Sequence, residues 1–220
     1  METEKVILPF DHDKEYFIEP LGELPPHRMY EFWKRFFDIV LSAIGLILLA
    51  IPMALIAIGV KCSSRGPVFY RQERLGKNGV PFSIIKFRTM DENAEAEGAQ
   101  WSQGDDDPRI TGFGALLRKT RLDELPQLLC IFSGKMSLVG PRPERGCFYD
   151  AFEAYIHGFR ERLKIKPGLT GLAQVCGGYD LRPEEKIVYD MEYIKHRSLR
   201  MDLKIMFRTV GVVFTHKGAK

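Results

Sequence analysis

A chain of 220 residues, 45% hydrophobic and 28% charged, suits one globular domain or one domain with an appendage and excludes a disordered chain. The formal net charge of +3 is unevenly spread: −5 over residues 1–33, +7 over 34–90, −6 over 91–110 and +7 over 111–220. Two basic blocks around an acidic insert suit a surface that meets anions, either phosphate ligands or lipid headgroups, and without a groove-reading motif nucleic acid is not expected. Cys62, Cys130, Cys147 and Cys176 form no CxxC pair and no Cys/His cluster, so neither a zinc site nor a disulfide framework is expected, and a reducing compartment is.

Residues 1–33 are acidic, contain Pro9, Pro20, Pro25 and Pro26, and read as an extended tail. From Ile39 to Val60 there are 22 residues without a charge. As a straight helix they would reach about 33 Å, enough for the hydrocarbon core of a bilayer. The run starts well inside the chain and no small-residue cleavage site follows it, which argues against a removable signal peptide. Pro52 near its middle removes a helical hydrogen bond and clashes with the preceding turn. Lys34 and Arg35 precede the run, and Lys61, Arg65, Arg71 and Arg74 follow it, so the positive-inside rule gives no orientation. Hydropathy alone favours a kinked transmembrane helix. Basic residues at both ends favour a helix that enters and leaves on one face, with Ser42 the only hydroxyl available to a broken hydrogen-bond ladder.

Val68 to Arg71 and Phe82 to Phe87, joined through Gly76-Lys77-Asn78-Gly79, have the pattern of a β-hairpin. Residues 91–109 read as an acidic surface loop with a short helix, and 113–133 as helical material interrupted at Pro126. Phe148, Phe152, Tyr155, Ile156, Phe159 and Leu163 fall on one helical face beside Arg160, Arg162 and Lys164, a pattern that suits a core or, with its aromatic residues next to basic ones, a membrane interface. Lys166 to Gly178, with four glycines and a proline, reads as loop. Helices are expected over 184–196 and from 201 onward. The fold class expected is α+β, mainly helical.

Pro126 suits a first helical turn, which sets a helix start near Leu122 or Asp123. Asp123 and Glu124 then lie at the positive end of a helix, where phosphates also bind, with Arg118 and Arg121 nearby. A carboxylate nucleophile, a second carboxylate able to hold Mg²⁺ and neutralising cations are the parts needed to attack a pyrophosphate-linked substrate. Taken alone, the same residues are explained more simply as a helix cap and a surface ion pair. Arg142, locked between Pro141 and Pro143 after an apolar run, is a rigidly presented guanidinium suited to phosphate, or an exposed turn arginine.

Eight ordered motifs carry a resemblance over about residues 30–215: KRFFDIVLS, GPVFYRQERLG, FSIIKFRTM, DPRIT, LRKTRLDELPQL, MSLVGPRPE, KPGLTGLAQV and YDMEYIKHRSLRMDLKIMFRT. The sequence resembles the bacterial sugar transferases, small monotopic polyprenol-phosphate phosphoglycosyl transferases. The resemblance implies transfer of a sugar-1-phosphate from a UDP-sugar to undecaprenyl phosphate, with UMP released. It implies Asp123 as the nucleophile that carries a covalent phosphosugar, and Glu124 as its partner, the pair holding Mg²⁺. It implies that Arg118 and Arg142 grip phosphate, that Lys86 and Arg88 face the same anionic site, and that Asp190 supports it. It also implies a re-entrant membrane helix over 34–62, bent near Pro52, with Ile51-Pro52 where some members have Ser-Pro. Residues 63–220 would form the catalytic domain on the cytoplasmic face of the bacterial inner membrane, amphipathic helices lying at the interface. Larger relatives carry a multi-helix N-terminal membrane region; the resemblance here is to the catalytic part alone, and the minimal catalytic type is expected. A homodimer is left open, as is the sugar, whose selection is expected to involve Gly177-Gly178-Tyr179-Asp180. The competing reading from another class is a membrane-anchored, non-catalytic scaffold of a glycan assembly complex.

Overall fold

The uncharged segment folds as two helices. In the computed structural model, which describes residues 6–7, 14–91, 94, 99–100, 107–177 and 181–215, helix α1 runs over Arg28–Leu48 and α2 over Ala50–Ser63, bent by 62° at the single residue between them. Pro52 is the third residue of α2, in the turn where a missing N–H is harmless, and its ring would clash with the Leu48 carbonyl of a continuous helix. The bend therefore falls at Leu49, three residues before the proline. Leu49 N–H donates to the Gly45 carbonyl (2.9 Å) and the Leu49 carbonyl accepts from Met53 N–H (2.8 Å), so one residue closes the first helix and opens the second. Ser42 takes no part in the bend: its hydroxyl donates back to the Asp38 carbonyl at 2.5 Å.

No single helix among the described residues is long and apolar enough to cross a membrane, though the bent pair reaches that length and apolarity together. Its burial is inverted. The buried residues of α1 are Asp38 and Ser42, while Phe32, Phe36, Phe37, Ile44, Ile47 and Leu48 are exposed. Ile47 and Ile51, on either side of the bend, are 75% and 74% exposed, so the outer side of the apex is bare, while Leu46 and Leu49 on its inner side pack against the cluster that holds Leu128 and Ile131.

The polar inner face of α1 anchors it to the rest of the chain. The Asp38 carboxylate accepts from Leu138 N–H (2.8 Å) and the Ser137 hydroxyl (3.1 Å). Arg35 donates to the Ile131 (2.7 Å) and Phe132 (2.8 Å) carbonyls, closing the end of helix α4 (Leu128–Phe132). Lys34 bridges to Asp202 at 2.8 Å. Helix α2 packs on α3 (Gly112–Thr120) through Gly59, where a Cβ would fall 2.6 Å from the Phe113 ring.

The strands are short and pair in twos: β1 (Val6–Ile7) with β5 (Ala99–Gln100), β2 (Tyr16–Phe17) with β7 (Ile156–His157), β3 (Phe69–Leu75) with β4 (Pro81–Phe87), and β6 (Ser137–Val139) with β8 (Gly168–Thr170). The β3–β4 hairpin is the expected one, and Asn78 in its turn has φ +59. The remaining helices are α5 (Gly146–Glu153), α6 (Leu172–Cys176), α7 (Pro183–His196) and α8 (Leu199–Thr215). The chain is thus α+β and mainly helical.

Two expectations change. The face from Phe148 to Leu163 is not one helix: α5 ends at Glu153, β7 follows, and Gly158 (φ +96) starts a 3-10 turn over Phe159–Lys164. Its six apolar residues all lie in the main core with Val139, Ile187, Ile194 and Ile205, which leaves them unavailable to a membrane interface. Within Lys166 to Gly178, expected as loop, β8 runs parallel to β6 in the register Ser137↔Gly168 and Val139↔Thr170. The close approach needs glycine, since a Cβ on Gly168 would meet the Gly140 nitrogen at 2.1 Å. Most of the acidic loop over 91–109 lies outside the described residues, as does much of residues 1–13.

Candidate active site

The stretch that carries Asp123 and Glu124 lies between two short helices. Helix α3 starts at a Thr111 cap, whose hydroxyl accepts from Gly114 N–H (3.0 Å), and ends at Arg121 in the left-handed region (φ +57). A 3-10 turn over Leu122–Gln127 follows, and α4 continues from it. The helix start expected near Leu122 is this turn. The interruption falls at Arg121, while Pro126 lies inside the turn. With three residues per turn, Leu122 and Leu125 share one side and pack with Phe87 and Leu117. Asp123 and Glu124 are thereby directed elsewhere, and both are buried (7% and 8% exposed).

Neighbouring cations treat the two carboxylates unequally. Glu124 Oε1 accepts from Lys86 Nζ of β4 at 2.8 Å, and Arg142 engages both Glu124 oxygens, the contact to Oε2 being 3.3 Å. None of the described residues donates a hydrogen bond to the Asp123 carboxylate. Burial opposes charge on Glu124, but Arg142 and Lys86 outweigh it and hold this carboxyl well below the usual range. Burial and then the Glu124 charge push Asp123 up to about 6, against the pull of Lys86, Arg118 and Arg142. Arg118, from the last turn of α3, donates through Nε to the Thr89 hydroxyl (3.0 Å), and burial lowers its own pKa.

Arg142 owes its position to a buried scaffold. Prolines 141 and 143 have no N–H, so this turn can be tied down mainly through its carbonyls. The Pro141 carbonyl accepts from Gly168 N–H (2.9 Å), the Arg142 carbonyl from the Arg162 guanidinium (3.0 Å), and the Pro143 carbonyl from Arg74 (3.3 Å). Each arginine is fixed from behind: Arg162 by Asp190 (2.6 Å, both side chains almost fully buried) and Arg74 by Glu144 (3.0 Å). Arg162 also lies over the Phe159 ring, 4.7 Å from its centroid. Asp190 thus reaches the centre through Arg162 and the backbone of Arg142.

The structure brings together Asp123, Glu124, Lys86, Arg118 and Arg142, with Asp190 one layer behind. It does not bring Arg88 to the carboxylates. Arg88 is buried, and its guanidinium donates to the Arg65 carbonyl and to the Ser64 carbonyl (2.9 Å) just past the end of α2. Arg162, Arg74, Glu144 and Thr89 were not among the expected site residues. A charged residue inside an aromatic face, as Arg162 is, was the available signal. Among the described residues no three His, Cys, Asp or Glu side chains cluster as a metal cage. Gly178, Tyr179 and Asp180, expected to bear on the sugar, lie outside the described residues.

Residues 29–216 match the family described as Bacterial sugar transferase, a span that takes in this centre and all but the first residue of the bent pair. The chain belongs to that family. Among its curated relatives is a UDP-N-acetylgalactosamine-undecaprenyl-phosphate N-acetylgalactosaminephosphotransferase of Aeromonas hydrophila, 42% identical over 91% of this chain and 48% of the relative. A UDP-glucose:undecaprenyl-phosphate glucose-1-phosphate transferase of Escherichia coli is 39% identical over 92% of this chain and 44% of its own length. The exopolysaccharide production protein ExoY of Sinorhizobium fredii is 40% identical over 84% of this chain and 87% of its own length. This bacterial sugar transferase therefore spans about half the length of the first two relatives and most of the third.

Proposed function

We propose that the chain is a phosphoglycosyl transferase that moves a sugar-1-phosphate from a UDP-sugar to undecaprenyl phosphate, the first step of a membrane-linked glycan such as an exopolysaccharide, capsule or glycoconjugate. The observation that carries this reading is the unequal dyad: Glu124 held as a carboxylate by Lys86 and Arg142, beside an Asp123 with no such clamp. At neutral pH an aspartate with a pKa near 6 is mostly ionised and remains a nucleophile. In the first step an Asp123 oxygen attacks the sugar-linked phosphorus, the bond to the UMP phosphate oxygen breaks, and UMP leaves with the electron pair. In the second, a phosphate oxygen of the lipid attacks that phosphorus, the Asp123–phosphorus bond breaks, and the carboxylate is restored. Arg142, Arg118 and Lys86 balance the charge that gathers on the phosphate oxygens.

Asp123 and Glu124 fit Mg²⁺, an ion often held by one or two carboxylates plus substrate phosphates, and burial makes their mutual repulsion one that a cation relieves. Bound there, the ion would supply charge neutralisation at the phosphates.

The inverted burial of α1 and α2 supports a re-entrant pair at the bacterial inner membrane. Both helices dock on one body, α1 through Lys34 and Asp38 and the end of α2 through Arg88. Both ends then lie on the cytoplasmic side, with the apolar apex in lipid. Single-residue handover at Leu49 limits the unpaired backbone at that apex.

Incubation with a UDP-sugar alone, followed by peptide mass spectrometry, is expected to give one phosphosugar adduct, on Asp123, and one equivalent of UMP. Full turnover by Asp123→Asn would overturn the assignment. UMP release over a panel of UDP-glucose, UDP-galactose and N-acetylated hexosamine donors identifies the sugar. Cysteines introduced at positions 10 and 90 are expected to react from the same side, and labelling from opposite sides would refute the re-entrant pair.

A further inference from the structure

We propose that a cavity of about 330 Å³ beside Glu124 receives the phosphate-proximal isoprenoid units of the lipid acceptor. The inference rests on the transferase reading and adds where that acceptor binds. The cavity opens between the turn that carries the dyad and helix α8. Its walls include Leu125, Leu128, Leu169, Val175, Met206 and Val212, and Glu124 is part of the lining. Thr120, Arg121 and Gln174 also line it, and most of its polar groups are engaged: Thr120 donates to the Leu116 carbonyl (2.8 Å), Thr170 and Thr209 hydrogen-bond each other at 2.7 Å, and Gln174 Nε2 donates to the Leu169 carbonyl (3.1 Å), which leaves Gln174 Oε1 as a buried acceptor without a partner among the described residues. The walls are nonetheless mostly apolar, and one glutamine oxygen cannot replace the hydration that the several hydroxyls and amides of a uracil, ribose or hexose would lose there. An unfunctionalised hydrocarbon loses nothing there and gains contact with the walls.

Two features select a chain that arrives from the bilayer. Leu128, in the cavity wall, touches the membrane-facing pair from its other side, and a Cβ at Gly45 would lie 3.1 Å from Leu128 Cδ1. Leu138 and Leu169, also in the wall, pack in one cluster with Leu46 and Leu49 at the bend. The opposite wall is α8, which turns Met206 inward and leaves Leu203, Phe207 and Val210 exposed on its outer side. The cavity is therefore walled by elements whose other faces are the exposed apolar surfaces of the molecule. Where the lining reaches Glu124, the neighbours change to Lys86 and Arg142, which pair with that carboxylate. An amphiphile with a long hydrocarbon tail and a phosphate at its tip matches that sequence of surroundings.

Val175→Phe and Val212→Phe, made separately, add bulk to the cavity while Asp123, Glu124 and their cations stay in place. Each is expected to raise KM for undecaprenyl phosphate by about tenfold or more, the range for one crowded hydrophobic subsite, and to keep the single UMP burst given by UDP-sugar alone. A burst with no change in KM in either variant overturns the cavity assignment. Loss of the burst in the unsubstituted protein instead overturns the transferase reading. A second measurement does not depend on how the variants fold: the unsubstituted protein in vesicles is photolabelled with a polyprenyl phosphate bearing a diazirine in its first isoprenoid units. Adducts within residues 169–175 or 206–212 support the assignment. Adducts confined to α1 and α2, or equal labelling of the cavity by a diazirine phospholipid, overturn it.

Discussion

Replacing Asp123 by asparagine keeps the side chain's shape and removes a charge that the fold holds against its own burial. The carboxyl sits at about 6 in the folded protein, against the 3.8 of an unperturbed aspartate. A raised carboxyl pKa means that ionisation favours the unfolded chain. The penalty is absent below pH 3.8, grows between 3.8 and about 6, and is complete above that. About two pKa units at 1.36 kcal/mol each come to roughly 3 kcal/mol. Asp123→Asn is therefore expected to stabilise the protein at pH 7.5 by up to about 3 kcal/mol, less whatever its amide loses by burial. For a chain of this size that corresponds to a rise in Tm of about 5–10 °C. The same substitution abolishes turnover in the proposed reaction. Thermal unfolding in detergent or nanodiscs, followed by tryptophan fluorescence at pH 4 and pH 7.5, provides the assay. The gain should vanish at pH 4. A variant less stable than the parent at pH 7.5, or equally stabilised at both pH values, would refute this account of the dyad.

Glu124→Gln should act in the opposite sense, since it leaves Lys86 and Arg142 close together without their counter-charge. The expected loss is at or below the roughly 3–5 kcal/mol typical of removing one partner from a buried pair. Because the Glu124 carboxyl is held below its ordinary range, that loss should shrink as pH falls through the carboxylate region, which the same unfolding scans would reveal. Arg162→Lys gives up the fork that joins Asp190 to the Arg142 carbonyl. At about 1.5–3 kcal/mol for a charged hydrogen bond, kcat/KM should fall about 10- to 100-fold with near-UV circular dichroism retained, and unaltered kinetics would remove Arg162 from the scaffold of Arg142. Asp38→Ala leaves the Leu138 N–H and the Ser137 hydroxyl without their acceptor, and chemical unfolding should register a loss of about 1–3 kcal/mol.

What could be read from the sequence was what local rules govern. Pro52 announced a break because the clash it causes lies within one helical turn. The β3–β4 hairpin was visible because strand alternation and turn residues are contiguous. The face from Phe148 to Leu163 misled for the same reason: helical spacing of apolar residues records which residues are buried, and a helix, a short strand and a 3-10 turn in succession buried all six. Gly158 was the local sign of the break. The charged contacts of the site were less legible because they are tertiary. Lys86 and Glu124 are 38 residues apart, and Arg162 and Asp190 are 28 apart. Arg88 illustrates the limit. Alternation along β4 would place it with Lys86, but the strand ends at Phe87, and Arg88 turns instead to the carbonyls that follow α2.

Adjacent carboxylates of similar chemistry become different groups here through where their neighbours come from. Glu124 meets a lysine from the hairpin and an arginine from a turn with two prolines, and that turn is held by arginines that are themselves ion-paired. Three separate parts of the chain thus converge to keep one carboxylate ionised and immobile. Asp123 receives only their longer-range attraction, which does not cancel its burial and its neighbour's charge. Environments that push two titratable groups apart are a common way of assigning separate roles to them. The group that receives no hydrogen bond from the described residues is the one whose oxygens can approach a phosphorus. The group that is clamped can lend charge to a cation or to the phosphate geometry without itself reacting. Moving the clamp from Glu124 to Asp123 would keep the composition of the site and lose this division, so the order of the two residues in the turn matters as much as their presence.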